Sequence, residues 1–196
     1  MPNTNHFEQI YENIHAEFIK TQAWTDMLNT REDSPWHRED NVGVHTRMLL
    51  EWYARNLRRE RTDFMRMVTK TACLFHDVGK PAAEITKWKE ERGTYRAYPG
   101  HEFLSAAIWI DFAHKHNVEM ENSVIAAIAL MIEYHLPFDL KDPIKRKGLK
   151  NTLNLIEHGD AMFIDLIMCD QHGRIADEQD AKIMKMEEWI SEWRKV

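Results

Sequence analysis

Six side chains are polar where their helical neighbours are apolar, and they carry the first chemical signal in this sequence. His45 lines up with Met48, Leu49 and Trp52. His76 follows Val68, Ala72 and Phe75, and Asp77 stands beside it. His101 runs with Leu104, Ser105, Ile108 and Phe112, His135 lies beyond Val124, Ile128 and Met131, and Asp170 is in line with Phe163, Leu166 and Ile167. Residues three, four and seven apart share a helix face, so each of these groups sits where the pattern calls for an apolar residue. An ionised carboxylate in a core is costly unless it is paired or bound to a cation. A divalent metal is the simplest common partner, because it satisfies imidazole nitrogens and carboxylates together and removes their burial penalty. His6, His15, His37, His114, His116, His158 and His172 lie in polar or terminal contexts and are not expected to be ligands.

The sharpest local motif is His76-Asp77-Val78-Gly79-Lys80. Adjacent His and Asp at a helix C-terminus can reach one metal from a single rigid element. Gly79 is expected to take a left-handed turn that swings Lys80 back toward the site.

Helical periodicity runs through most of the chain, and alternation at period two is scarce. Helices are predicted over 7–20, 41–58, 62–77, 100–115, 121–135, 149–157, 160–176 and 180–194, with Asp40 or Asn41 as an N-cap and breaks at Pro137 and Pro143. A polar loop is expected over 29–35. The least helical stretch, 84–99, is read as a short hairpin or extended loop. The predicted fold class is all-α: a single-domain helical bundle with one non-helical excursion near residues 90–99. An N-terminal helix and loop over 1–40 should pack on a core over 41–178, followed by a C-terminal helix over 179–196.

Composition bounds the function classes. A chain of 196 residues suits one domain and buries enough apolar surface to need no staples. Charged residues at 30% and hydrophobic residues at 43% argue against wholesale disorder. A net charge of −6 excludes a simple basic nucleic-acid coat. Cys73 and Cys169, the two cysteines, sit in apolar helical patterns and are read as buried thiols in a reducing compartment. The first residues lack the basic and apolar regions of a signal peptide, and the longest apolar run, 124–132, is far short of the ~20 residues that span a bilayer. A cytoplasmic protein with no membrane association is expected.

The order His45, His76-Asp77, His101, His135, Asp170 resembles the HD-domain superfamily of metal-dependent phosphohydrolases, over about 42–177. Within it, His76-Asp77-Val78-Gly79-Lys80-Pro81, the stretch from Gly100 to Ala106, and Cys169-Asp170-Gln171-His172-Gly173-Arg174 are most similar to the HD domain appended to bacterial tRNA nucleotidyltransferases. No Gly-Ser or paired acidic motif of a nucleotidyltransferase head precedes Phe7, so nucleotide addition is not expected. The resemblance implies an HD-type bundle that hydrolyses 2′,3′-cyclic, 2′- or 3′-phosphate groups of nucleotides or RNA 3′ ends. It implies that His45, His76, Asp77 and Asp170 hold a first ion, and that His101 and His135 hold a second with Asp77 bridging.

On that reading Asp77 and Lys80 are the catalytic candidates, Asp77 orienting the attacking water and Lys80 neutralising phosphoryl charge. Arg96 and Arg174 are candidate phosphate clamps. The mixed shell suits Mn²⁺, Co²⁺, Ni²⁺, Zn²⁺ or iron, with Mg²⁺ also admitted, more than Ca²⁺. Lys141, Lys145, Arg146, Lys147 and Lys150 form a basic run expected near the site mouth, where it would attract a polyanion. Trp88, Tyr95 and Tyr98 offer faces for base stacking. The alternatives are a nucleotidase acting on free mono- or triphosphates, a di-iron oxygenase, and a regulatory nucleotide-binding module with a structural metal.

Overall fold

Side-chain caps start two of the central helices where the periodicity places them. In this computed structural model, which describes residues 6–34, 37–90, 93–136, 140–175 and 179–196, Asn41 accepts a hydrogen bond from the Val44 amide and opens α3 (Val42–Asn56). Thr62 does the same for α4 (Asp63–Phe75) through the Met65 amide. The other long helices are α1 (His6–Phe18), α2 (Gln22–Asn29), α6 (His101–Lys115), α7 (Asn122–Glu133), α8 (Pro143–Leu153), α9 (Gly159–His172) and α10 (Gln179–Lys195). A single-turn helix, α5 (Lys80–Ala83), follows α4, and a 3₁₀ turn spans Arg58–Glu60. Among the described residues, no helix is long and apolar enough to cross a membrane.

Among the described residues, the strands form two antiparallel hairpins. The expected excursion is the second of them, β3 (Ile85–Lys89) paired with β4 (Gly93–Ala97). The first, β1 (Arg31–Ser34) with β2 (His37–Asn41), occupies much of the stretch read as a polar loop, with an irregular register between Glu32 and Ser34. Two further segments differ from the expectation. The segment between Lys20 and the expected loop, which the periodicity left unassigned, holds α2, capped by Thr21. The helix expected over 149–157 starts earlier, at Pro143, because the Asp142 carboxylate accepts from the Ile144 amide and Pro143 is pre-set for a first helical turn. The break expected at Pro137 lies outside the described residues.

The core is continuous through all three segments of the chain. Helix α4 lies at its centre, packed against α1, α3, α6, α7 and α9, with Val68, Ala72, Leu74 and Phe75 fully buried. Phe18 of α1 reaches Phe75 with ring centroids 4.3 Å apart, and Phe75 meets Trp109 and Phe112 of α6 at 5.1 Å each. At the other end, Trp193 of α10 packs on Phe163 of α9 at 5.3 Å and on Trp189 at 5.2 Å, fixing the last helix to the body. Cys73 and Cys169 are free and buried. Because α4 is wedged among its neighbours, its C-terminal residues His76 and Asp77 are held at a point where several other helices converge.

Candidate metal centre

All six polar residues singled out from the helical stripes meet in one place. His76 and Asp77 follow α4, His45 comes from the first turn of α3, His101 opens α6, His135 follows α7, and Asp170 is near the end of α9. Each is buried. Asp77 stands between two groups of imidazoles. Its Oδ2 is 3.1 Å from His76 Nε2 and 3.7 Å from His45 Nε2, and its Oδ1 is 3.1 Å from His101 Nε2 and 3.6 Å from His135 Nε2. Asp170 Oδ1 completes the first group, 3.1 Å from His45 Nε2 and 3.8 Å from His76 Nε2. His45, His76 and Asp170 thus form one cluster able to hold a metal ion, and Asp77, His101 and His135 form another.

The imidazole tautomers show that a cation fits. Nδ1 of His76 hydrogen-bonds the Cys73 carbonyl at 2.9 Å, that of His101 the Tyr98 carbonyl at 2.7 Å, and that of His135 the Ile132 carbonyl at 2.7 Å. A carbonyl only accepts, so Nδ1 carries the proton in each ring. In a neutral ring Nε2 is then a bare lone pair. Two such atoms, on His76 and His101, face carboxylate oxygens at 3.1 Å without a hydrogen bond, and Asp77 Oδ1 also lacks one. Lone pairs pointed at carboxylates repel each other unless a cation lies between them. His76 is kept neutral because burial pushes its pKa down against the pull of Asp77. At His45 burial likewise disfavours the cation, but the Asp170 and Glu39 carboxylates outweigh it and lift the pKa to about 9. In the metal-free protein a proton on His45 therefore supplies part of the positive charge that a metal would bring. Asp77 and Asp170 stay ionised: burial opposes this, while the Lys80 ammonium acts on Asp77, and Arg174 and His45 on Asp170, to pull both well below the usual carboxylate range.

Lys80 reaches the site, but by a different route from the one expected. Gly79 is right-handed, at φ −80° and ψ −13°. Glycine is required there by crowding: a Cβ would lie 2.5 Å from the His101 carbonyl oxygen and 2.7 Å from the Ser105 amide. The Gly79 amide donates to Ser105 Oγ at 2.9 Å, so this contact docks the HisAsp segment onto α6. Lys80 is buried, its Nζ 2.7 Å from Asp77 Oδ2 and also paired with Glu32. Burial opposes the charged ammonium, but Asp77 and Glu32 outweigh it and raise its pKa.

The two arginines are placed differently. Arg174 is mostly buried and tied to Asp170, its Nε donating to the Asp170 carbonyl at 2.8 Å and its Nη2 to the carboxylate. It therefore steadies a ligand carboxylate as well as facing the cavity. Arg96, on β4, donates to Glu84 at 3.1 Å across the end of the hairpin and also lines the cavity.

Sequence periodicity gives no sign of Glu32 and Glu39, which the β1–β2 hairpin carries into the body as buried carboxylates. Glu39 Oε1 lies 3.4 Å from His45 Nδ1 and accepts the Ile175 amide at 2.8 Å. Glu32, Glu39 and His45 also satisfy the spacing of a metal cluster, but the Lys80 ammonium is already paired with Glu32. Gln171 adds a further contact, its Nε2 donating to Asp170 Oδ2 at 3.0 Å.

The centre opens into a cavity of about 360 Å³, lined by Asp77, His101, His135 and Asp170 at the ligand set, by Lys80, Arg96 and Arg174, by Tyr95, Tyr98 and Leu136, and by Lys182 and Lys185 of α10. The basic run does not line it. Lys150 instead donates to the Trp193 and Val196 carbonyls at the end of α10, and Arg146 to the Lys141 carbonyl. Trp88 is exposed on β3 and also lies outside the cavity wall. The chain matches no family model, no curated protein and no solved structure.

Proposed function

We propose that this protein is a metal-dependent phosphohydrolase acting on phosphoesters of nucleotides or of RNA ends, at a centre where His45, His76, Asp77, His101, His135 and Asp170 would hold divalent metal. The observation that supports it best is the set of imidazole lone pairs facing the two oxygens of Asp77, at the base of a cavity that also presents Lys80. His45, His76 and Asp170 would hold one ion and His101 and His135 the other, with Mn²⁺, Co²⁺, Ni²⁺, Zn²⁺, iron or Mg²⁺ compatible with the donors. When bound, such ions neutralise phosphoryl oxygens and make water acidic enough to act as a nucleophile near neutral pH.

The protein's own groups prepare the reaction. Asp77, ionised and held in place by Lys80, presents a fixed acceptor toward water. Lys80 presents positive charge toward a phosphoryl group, with Glu32 and Asp77 keeping it protonated. Water oxygen bonds to phosphorus as the ester P–O bond breaks. The released alkoxide takes up a proton, leaving an alcohol and phosphate. The resemblance to HD-domain phosphohydrolases points the same way, since its ligand residues are those that converge here.

A second reading, a phosphatase for free nucleotides, is favoured by the placement of the basic run outside the cavity, which leaves an extended RNA strand without that guiding charge. One assay tests the class. Metal-depleted protein is reconstituted with each ion in turn and offered nucleoside 2′,3′-cyclic, 3′- and 5′-phosphates while phosphate and alcohol products are followed. Turnover should require metal, vanish in chelator and be lost in Asp77→Asn. Turnover that persists in chelated protein, or none with any ion, rejects the proposal.

A further inference from the structure

The basic run of α8 takes no part in the cavity wall, and its helix carries a pattern that packing within the chain does not explain. Leu149 and Leu153 face the body and are buried. Ile144, Gly148 and Asn151 follow at intervals of four and three, so they share the opposite side, and all three are exposed. Ile144 is 82% exposed, and Lys145 and Lys147 flank the stripe on either side of it. Gly148 lies within the helix, and a Cβ there would meet nothing within 4 Å. A glycine at an exposed helical position weakens the helix relative to alanine, and what it offers in return is close approach of a second backbone. The complement of this face lies beside it. Just past the end of α8, Leu155 is 80% exposed and borders a groove of about 570 Å³ floored by Phe7, Phe64, Met67 and Met120. Glu119, Glu121 and Glu157 also line the groove, and among the described residues no lysine or arginine does.

We propose that the protein forms a two-fold dimer in which α8 of one copy packs antiparallel on α8 of the other. Charge complementarity points to a second copy, because both halves of the contact are present on one chain: an apolar residue flanked by lysines, and an apolar groove edged by glutamates. Ile144 and Leu155 are roughly 16 Å apart along the helix direction. Antiparallel pairing about an axis near Gly148 and Asn151 therefore brings Ile144 of each copy to the groove of the other, so every contact occurs twice. Lys145 and Lys147 then approach the other copy's glutamates, and the two glycines let the helices come close. The pairing also takes out of water the two large apolar side chains that this region otherwise leaves exposed. The dimer does not depend on the phosphohydrolase reading.

Sedimentation velocity of the full chain at about 1–300 μM, the weak end of protein interface affinities, tests the proposal. The wild-type protein should pass from monomer to dimer with concentration, and less readily as salt rises, because the flanking charges are exposed and screened. Ile144→Asp and Gly148→Leu should each raise the dimer Kd by about tenfold or more. The leucine adds apolar surface and would strengthen unspecific association, so it weakens only a face that needs close approach. The charge contacts are tested by exchange. The double variants Lys145→Glu, Lys147→Glu and Glu119→Lys, Glu157→Lys should each be monomeric alone and associate when mixed, since mixing restores opposite charges at both copies of the contact. Circular dichroism checks that every variant is folded, which is expected because all the substituted positions are exposed. A wild-type protein that stays monomeric throughout, a dimer that both Ile144→Asp and Gly148→Leu leave unchanged, or a mixture that fails to associate overturns the proposal.

Discussion

Replacing Gly79 by alanine tests how the candidate metal centre is assembled, because two physical accounts of this glycine predict different results. If its role were backbone freedom, alanine would cost about 1 kcal/mol in stability and leave the neighbouring helix undisturbed. The observed φ of −80° is one that alanine adopts without strain. The obstacle is the added methyl group, 2.5 Å from the His101 carbonyl oxygen, 2.7 Å from the Ser105 amide and 2.8 Å from Leu104 Cβ. Ordinary contact begins at 3.4 Å, and two of the obstructing atoms are backbone, so α5 and α6 must separate by close to 1 Å. That movement lengthens the hydrogen bond from Gly79 to Ser105 and carries His101 away from Asp77 Oδ1. Overpacking of this kind costs about 1–3 kcal/mol, which in a domain of this size lowers Tm by roughly 3–10 °C. A misplacement of about 1 Å at a reactive centre lowers turnover by roughly a hundredfold. The assay pairs thermal unfolding in chelator with metal titration of the folded variant. The expected result is a lower Tm and a selective weakening of the ion held by His101 and His135, with the ion held by His45, His76 and Asp170 less affected. A variant that keeps wild-type metal stoichiometry and affinity at both positions would show that this contact does not set the position of α6.

Two further outcomes follow from the same geometry. Glu39→Ala removes the carboxylate beside His45 Nδ1 and should weaken metal binding about 10–100-fold, whereas Glu39→Gln keeps an oxygen for His45 and for the Ile175 amide and should restore most of the affinity; competition with a metal indicator measures both, and an alanine variant of unchanged affinity rejects the role. In chelator, the His45 proton should stabilise the fold, because its pKa rises from 6.5 to about 9 on folding; this contribution, roughly 3 kcal/mol, is complete below pH 6.5 and lost as pH rises through about 9. Urea unfolding of the metal-free protein across that range should show the decline, and a flat profile contradicts it.

The six-residue cluster was legible in the sequence because its histidines and Asp170 lie within or at the ends of long amphipathic helices, in line with an apolar stripe whose period is well defined, and Asp77 stands next to one of them. The hairpin glutamates were not. Glu32 and Glu39 lie in strands of four and five residues, too short to show a period, and among other polar side chains. Their burial comes from Lys80 and His45, which are distant in sequence and become neighbours only after folding. The requirement at Gly79 was hidden for the same reason. The motif marks a glycine after HisAsp, but the atoms that exclude a side chain belong to α6. The basic run does not line the cavity, because nearness in sequence to His135 says little about direction: Lys150 of α8 turns instead to the carbonyls at the end of α10.

The histidines also explain why the β1–β2 hairpin belongs to the site. His76, His101 and His135 each bond their Nδ1 to the carbonyl three residues earlier; His76 and His135 lie just beyond helix C-termini, where carbonyls are open to side chains, and His101 opens α6 and uses the Tyr98 carbonyl of the loop before it. Their tautomers are therefore set by local backbone. His45 lies inside the first turn of α3, where the Val42 carbonyl already accepts from Thr46 Oγ. A histidine at that position needs its Nδ1 partner from another element, and Glu39 is the carboxylate placed next to it. The hairpin that carries Glu39 also carries Glu32 to Lys80, so a single short element governs one ligand's proton and the charge of the lysine beside Asp77. Shifting the register of β2 by one residue would turn Glu39 to the opposite face and remove the carboxylate from His45 without altering any of the six ligands.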